Sequence, residues 1–499
     1  MSISFNSYAD TIPKNFGRSF FAQRPQEQNE ARYLAHETSL YPLCSSRYYS
    51  DVTSLAVEYT DNFNRKNLGA YLFFNGKNSM VFAGSDTAPT LKDVDALNFF
   101  LADNFYSRVE ANPHVQNTIV DLHTRKNLFN LWNGLYMEID LPVVWTKWNV
   151  SLNEAITNPG TNIAANKLSN TASAPAPVHS MIEAWKGTAL NPANVPTGFP
   201  LVTQPLHYAK INGSQETVAL TDIQFLLGYN IFCCDIYHIG LNMRVIAPTG
   251  TRPDGEFVFE PVAGNGRHPA LGGGIQMHYN LWSNDCDGNI SVWFDGYIDH
   301  FFKTHQKRTF DWTVNGIGSR YLWLKKFNSS NTLIEIVRGP NITTLDCDVT
   351  VNVIGEAILF MDFNWRNWVF DIGYNVWGRS QEKVTITESI AAGTYGILGD
   401  SGSNNNNVAP TTTINGATTA APVPFTTANA LKTSNLNPKS ATSPSAFSQK
   451  VFAHLGRTWY EYDHKPFLGL GAEGEFASSS KKNRALNQWG VWLKSGLTF

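Results

Sequence analysis

Charge is scarce in this sequence: only 16% of its 499 residues are Asp, Glu, Lys or Arg, against roughly 25% in an average soluble domain. Long apolar runs are missing too. No stretch reaches the ~18 residues that a spanning helix needs, and mean hydropathy is -0.23, so a helical membrane protein is excluded. With a net charge of -3, a pI of about 6.5 and no basic cluster, nothing points to nucleic acid as a partner. Five cysteines, Cys44, Cys233, Cys234, Cys286 and Cys347, form an odd set without metal-type spacing. Cys286 and Cys347 could pair in an oxidising compartment, but free thiols are the simpler expectation. GxSxG, HExxH and Walker patterns are absent, which argues against an enzyme and gives no reason to expect a cofactor or a metal. The opening MSISFNSYADTIPKNFG lacks the basic and apolar regions of a signal peptide. An exported chain starting there would be a mature form or carry a replacement Met1.

Aromatic residues, by contrast, are plentiful at 13%, with 14 Trp, 19 Tyr and 31 Phe. Few charges and many aromatics fit a membrane barrel, which hides its apolar residues by alternation. They also fit a soluble β-sandwich or a capsid-type jelly roll, whose aromatic faces would pack sheet on sheet.

Alternation separates these readings. From Trp489 to Phe499, Trp489, Val491, Leu493, Ser495, Leu497 and Phe499 share one face, while Gly490, Trp492, Lys494, Gly496 and Thr498, mostly polar or small, share the other. Period two means a strand with one apolar side. The same split recurs over 51–60, 134–145, 237–246, 289–302, 368–380 and 466–477. A strand ending on an aromatic carboxy-terminal residue resembles the assembly signal of bacterial outer-membrane β-barrels. The run DIQ…LGYN…GLNMRVIAPTG (222–250) resembles a phrase of porin-like outer-membrane proteins.

That resemblance implies an all-β fold: an antiparallel transmembrane β-barrel of about 14 strands, within a range of about 12 to 16, with long loops. It implies a bacterial outer-membrane location, lipid around the barrel, insertion by the barrel assembly machinery through the terminal strand, and passive passage of small solutes or ions. Many such barrels are homotrimers, though no interface strand is recognisable. Two alternatives remain open: a plugged structural or surface barrel, and the soluble β-protein.

Residues 1–45 are polar and aperiodic and read as an amino-terminal arm or plug, with one barrel over 46–499. Long inserts fall at 155–196, with a short helix near Ser180–Lys186, and at 390–447, whose Asn/Thr/Ala/Ser bias reads as an external loop. LGAYLFFNGKNSMVFAGS (68–85) reads as a hairpin turned at Asn75-Gly76. DVDALNFFLADNFYSR reads as a helix with Asp93 as a cap or as an inward loop, and 319–327 as a strand.

Strand parity places Glu58, Glu138, Asp140, Asp295, Asp299, Asp371, Glu473 and Glu475 on the lumen side with Arg244, Arg379 and Lys494. Lys494 should lie near Glu473 or Glu475. These residues either pair into a structural network or form a mildly cation-favouring pore lining. Trp145, Trp148, Trp368, Trp489 and Phe499 are the candidates for interfacial girdles. Three other patterns have plain explanations. Gly264–Gly266 with Gly272–Gly274 reads as a rim turn and strand start, not a phosphate cradle. Asp285–Asn289 is a hairpin tip lacking the rest of a calcium loop. His238 is an inward side chain and not part of a hydrolase.

Overall fold

The computed structural model describes residues 15–41, 51–63, 65–85, 92–165, 167, 173–190, 204–234, 236–284, 288–399, 406–416, 422–477 and 486–499. Twelve strands close into a ring: β1 (Val52–Asn62), β2 (His114–Asn127), β3 (Leu135–Asn149), β4 (Ile223–Cys233), β5 (Tyr237–Ala247), β6 (Ala270–Asn284), β7 (Gly288–Thr309), β8 (Thr344–Trp365), β9 (Trp368–Arg379), β10 (Ala446–Thr458), β11 (Phe467–Ala477) and β12 (Gln488–Thr498). Every neighbouring pair is antiparallel, and the terminal strand closes the ring by pairing with the first, Val52 opposite Thr498 and Asn62 opposite Gln488. Two further strands, 214–220 on β3 and 382–386 on β8, extend the wall and bring the sheet to 14 strands. Closure leaves no free edge, the condition for crossing a bilayer with strands.

The alternation seen in the sequence is the inside–outside alternation of this wall. Leu55, Val57, Val120, Leu241, Met243, Ile372, Leu455, Leu470 and Leu493 are exposed outward, while their strand neighbours point in and are buried. An apolar outer belt around a closed, polar-lined ring is an outer-membrane-type β-barrel.

The two rims differ. One carries both ends of the ring, residues 51 and 499, and the short connections that follow β2, β4, β6, β8 and β10. The other carries the long connections, whose described parts pack into a cap with its own apolar core. There Trp185 meets Phe82 edge-on, Phe100 meets Trp323, and Phe310, Trp312 and Leu324 are fully enclosed.

Several expectations fail in this cap because tertiary burial overrides local pattern. Residues 65–72 form a helix, so 68–85 is helix, turn and strand 79–83 instead of a hairpin. The helical segment near Asp93 shrinks to a 3₁₀ turn over 96–99, capped by Asp95 accepting from the Leu97 N–H. The strand expected over 319–327 runs only over 323–327 and lies in a small cap sheet with 333–338 and 395–397. Within 390–447, Ile397, Leu398, Val408, Phe425, Leu431 and Leu436 are buried, so the described parts of this insert are packed. The helix expected near 180–186 is present over Met181–Lys186 with Ser180 as its cap.

Cys347 is a free, buried thiol donating to Gln306 O, so it forms no disulfide with Cys286, which lies outside the described residues. Cys233 is disulfide-bonded, a departure from the expectation of free thiols that fits an oxidising compartment.

Candidate functional site

The lumen is filled by the amino-terminal segment. Residues 15–41 enter among the cap loops, descend the barrel axis through a short helix, α1 (Glu30–Leu34), and a 3₁₀ turn over 37–40, and leave toward the short-turn rim. Ser19 N–H donates to Ser440 O at 3.0 Å at the cap end. At the far end Arg125 of β2 stacks on Tyr41, its guanidinium carbon 4.0 Å from the ring centre.

A polar segment can descend a barrel only if its charges are met, because an unpaired buried charge costs several kcal/mol. Four charged side chains of the plug, Arg24, Glu30, Arg32 and Glu37, meet opposite charges on the wall. Arg24 bridges Glu356 and, at 3.2 Å, Glu475. Arg32 bridges Glu58 and, at 2.8 Å, Asp121. Glu30 accepts from Arg244 at 3.0 Å. Glu37 lies 2.9 Å from Lys494 Nζ and 3.2 Å from His123 Nε2. Burial pushes the Glu37 carboxyl up, but Lys494 and then His123 outweigh it and hold the group well below the usual carboxylate range. Lys494 also donates to the plug carbonyls of Arg32, Tyr33 and Ala35 at 2.6 to 3.0 Å.

Below this, His36 donates its backbone N–H to Asp371 Oδ2 at 2.9 Å, and its ring faces His454 edge-on. Burial, reinforced by His454 and Lys494, pushes the His36 imidazole well below its ordinary value, so it is neutral. Two wall glycines make room for this pair. A Cβ at Gly456 would lie 2.1 Å from His36 Nδ1, and one at Gly469 2.2 Å from His454 Nε2. Gly456→Ala is therefore expected to force the plug off its seat and cost about 1–3 kcal/mol, read as earlier thermal loss of the compact, heat-modifiable gel band. A melting point equal to the parent's would show that the seat is looser than this packing.

All eleven candidate lumen residues, Glu58, Glu138, Asp140, Arg244, Asp295, Asp299, Asp371, Arg379, Glu473, Glu475 and Lys494, are inward and buried. They line a filled interior. Glu138 pairs with Arg125 at 2.6 Å, Asp140 with His123 at 2.5 Å, and Glu473 with Lys450 at 2.8 Å. Asp299 is 4.0 Å from Arg244 Nε, while Asp295 accepts from Gln276 at 3.3 Å. Arg379 donates to Ser443 Oγ at 2.7 Å. Lys494 does not meet Glu473 or Glu475, because its register partner on β11 is Gly469 and the plug supplies Glu37 instead.

Sequence reasoning missed Arg24, Arg32 and Glu37 as functional residues. The signal was present: an acidic surplus on the wall calls for cations, and the arm carries them. Arg125, His123 and Lys450, inward on β2 and β10, were legible from parity alone.

Of the candidate girdle residues, Trp368, Trp489 and Phe499 are 50, 41 and 58% exposed on the outer surface, and Trp145 is half-buried on the same face. Trp148 is not in a girdle. Three residues from Trp145, it has the opposite parity, is 1% exposed and packs on Phe259 at 4.7 Å and Phe21 of the plug at 5.8 Å. Among the described residues no group of three His, Cys, Asp or Glu side chains could hold a metal ion.

No family model and no curated protein matches this sequence. Among solved structures, an outer-membrane channel from Pseudomonas putida F1 is 9% identical, covering 92% of this chain and 98% of its own, with a TM-score of 0.37. A variant of the TodX monoaromatic hydrocarbon channel is 8% identical over 90% of each chain, TM-score 0.32. The translocator domain of the autotransporter NalP from Neisseria meningitidis is 7% identical over 94% of each, TM-score 0.28. At such TM-scores the similarities assign neither a family nor a cargo.

Proposed function

We propose that this chain is a bacterial outer-membrane barrel closed at rest, its lumen sealed by its own amino-terminal segment, with a surface or structural role. The observation that carries this reading is the passage of residues 15–41 down the axis, tied to the wall by Arg24, Arg32, Glu37 and Lys494. The apolar outer belt supports lipid as the surrounding medium, with the long-loop cap outside the cell and the short turns on the periplasmic side. The terminal strand, Trp489 to Phe499, is the segment that the assembly machinery would engage.

Planar-bilayer recording tests the reading. The full chain is expected to give no stable conductance, and a variant lacking residues 15–41 to give discrete open steps. Stable steps of equal size from both proteins would overturn it.

A second reading, passive diffusion of small solutes, requires the plug to leave. Without the arm, the wall keeps more inward carboxylates than cations, so the opened barrel is expected to favour cations. Reversal potentials of the arm-less variant in a KCl gradient check this, and anion preference would sink it.

A further inference from the structure

Beside the upper plug lies a cavity that the ionic lock does not use. It is a partly open crevice bounded by Phe20 of the plug, Val262 of the 248–269 loop, Phe301 of β7 and Ile354 of β8. Two guanidinium groups line it as well, Arg308 of β7 and Arg379 of β9, only 2 and 7% exposed. Arg308 donates from Nε to Gln306 Oε1 at 3.0 Å and stacks on Phe20, but its Nη1 has no partner among the described residues. Arg379 spends Nη2 on Ser443 Oγ and Pro444 O, and its Nε is likewise unpartnered. Both guanidinium groups belong to the lining of this one cavity, so two like charges share its wall.

The nearby acids do not balance them. Glu382 stands 3.6 Å from Arg308 Nη2, and one of its oxygens is occupied by the Ser443 N–H at 2.7 Å. Glu260, on the loop facing Arg308, gives its two oxygens to the Asp254 and Gly255 N–H groups at 3.0 and 3.1 Å and is pushed up to about 8 by burial and by Asp254, so it does little to offset the arginines. Two buried cations then face one carboxylate within mainly apolar walls. Guanidinium N–H groups left unmade in such surroundings carry a desolvation cost that an anion would relieve.

We propose that this cavity binds a small amphipathic organic anion, a monocarboxylate whose head meets Arg308 and Arg379 and whose tail packs on Phe20, Val262, Phe301 and Ile354. The site goes beyond the closed-barrel reading and does not depend on it, since binding requires no conductance. It would place a ligand between plug and wall, where occupancy bears on how the plug is held.

Calorimetric titration of the full-length protein in detergent tests the site. The probes are octanoate, octanol, octylammonium and inorganic phosphate, with Arg379→Gln and Ile354→Trp run in parallel. Saturable octanoate binding is expected, about tenfold or more tighter than octanol, with octylammonium and phosphate weaker still. Arg379→Gln should cut octanoate affinity about tenfold, and Ile354→Trp should abolish it while heat-modifiable migration persists. If Arg379→Gln fails to fold, Ile354→Trp still decides, because it fills the cavity and leaves every charge in place. Octanoate binding no tighter than octanol, phosphate binding as tight as octanoate, or octanoate affinity unchanged by cavity filling would each overturn the proposal.

Discussion

Replacing Arg32 by alanine is expected to destabilise the folded barrel by about 3–5 kcal/mol. Arg32 is 1% exposed and forks between two wall carboxylates, Glu58 on β1 and Asp121 on β2. Its Nη2 also donates to Gln26 O at 3.1 Å and to Tyr33 Oη at 3.2 Å. Removing the guanidinium leaves two carboxylates enclosed together. Asn29 still donates to Glu58 at 3.1 Å, but among the described residues no other side chain donates to Asp121. Arg32→Lys should fall between parent and alanine variant, because an ammonium is a single point charge and cannot hold both acids in one plane. Adding Glu58→Gln and Asp121→Asn to Arg32→Ala should restore part of the loss, since the stranded charges go with it. Chemical melts of the four proteins in detergent check the order. An alanine variant within about 0.5 kcal/mol of the parent would mean that the ionic fork does not hold the plug.

How far the sequence could go depended on whether a signal was local. Inside and outside of the wall were readable wherever one face is apolar, as in Trp368, Phe370, Ile372 and Tyr374 of β9, all exposed outward. Parity also put Lys494 inside, because it is a property of one strand. Its partner was not readable, because Glu37 lies in another part of the chain and arrives only when the plug enters the ring. Trp148 shows the converse error. Aromatic type suggested a girdle, but its parity points inward, and parity governs. The cap defeated pattern reading for a different reason. Its elements are short and draw on distant inserts, so Tyr71 and Leu72 are buried on a helix by residues far along the chain, and no local period announces that. The apparent low complexity of 390–447 misled in the same way: scattered residues such as Phe425, stacked on Phe327 at 3.7 Å, suffice when a core already exists to receive them.

Raising the pH is expected to loosen the upper end of the plug first. Glu27 of the plug is fully buried and faces Asp222, the residue that precedes β4. No N–H or hydroxyl donor among the described residues reaches either Glu27 carboxyl oxygen, whereas Asp222 accepts the Gly250 N–H at 3.0 Å and the Asn265 N–H at 2.6 Å. Burial, then Asp222, pushes Glu27 well above the ordinary carboxyl value, and burial raises Asp222 to about 6. A proton on Glu27, donated to Asp222, makes two buried acids compatible. For groups raised in the folded state, the stabilisation is complete below the unfolded carboxyl value, about 4. It is lost as pH climbs through the folded values, from about 6 for Asp222 upward. While the folded protein still holds a proton that the unfolded chain has released, stability falls by about 1.4 kcal/mol per pH unit. The lower anchor behaves oppositely: Glu37 is held low by Lys494 and His123, so its contribution persists above the unfolded value and disappears only in strong acid. Glu27→Gln carries a permanent amide donor toward Asp222. It should flatten the decline above pH 6 and exceed the parent's stability at pH 9 by about 1–3 kcal/mol, whereas Glu37→Gln should lose stability at every pH above 5. Melts of the three proteins from pH 5 to 9 decide the matter: parallel curves for the parent and Glu27→Gln would rule out a shared proton at the top of the plug.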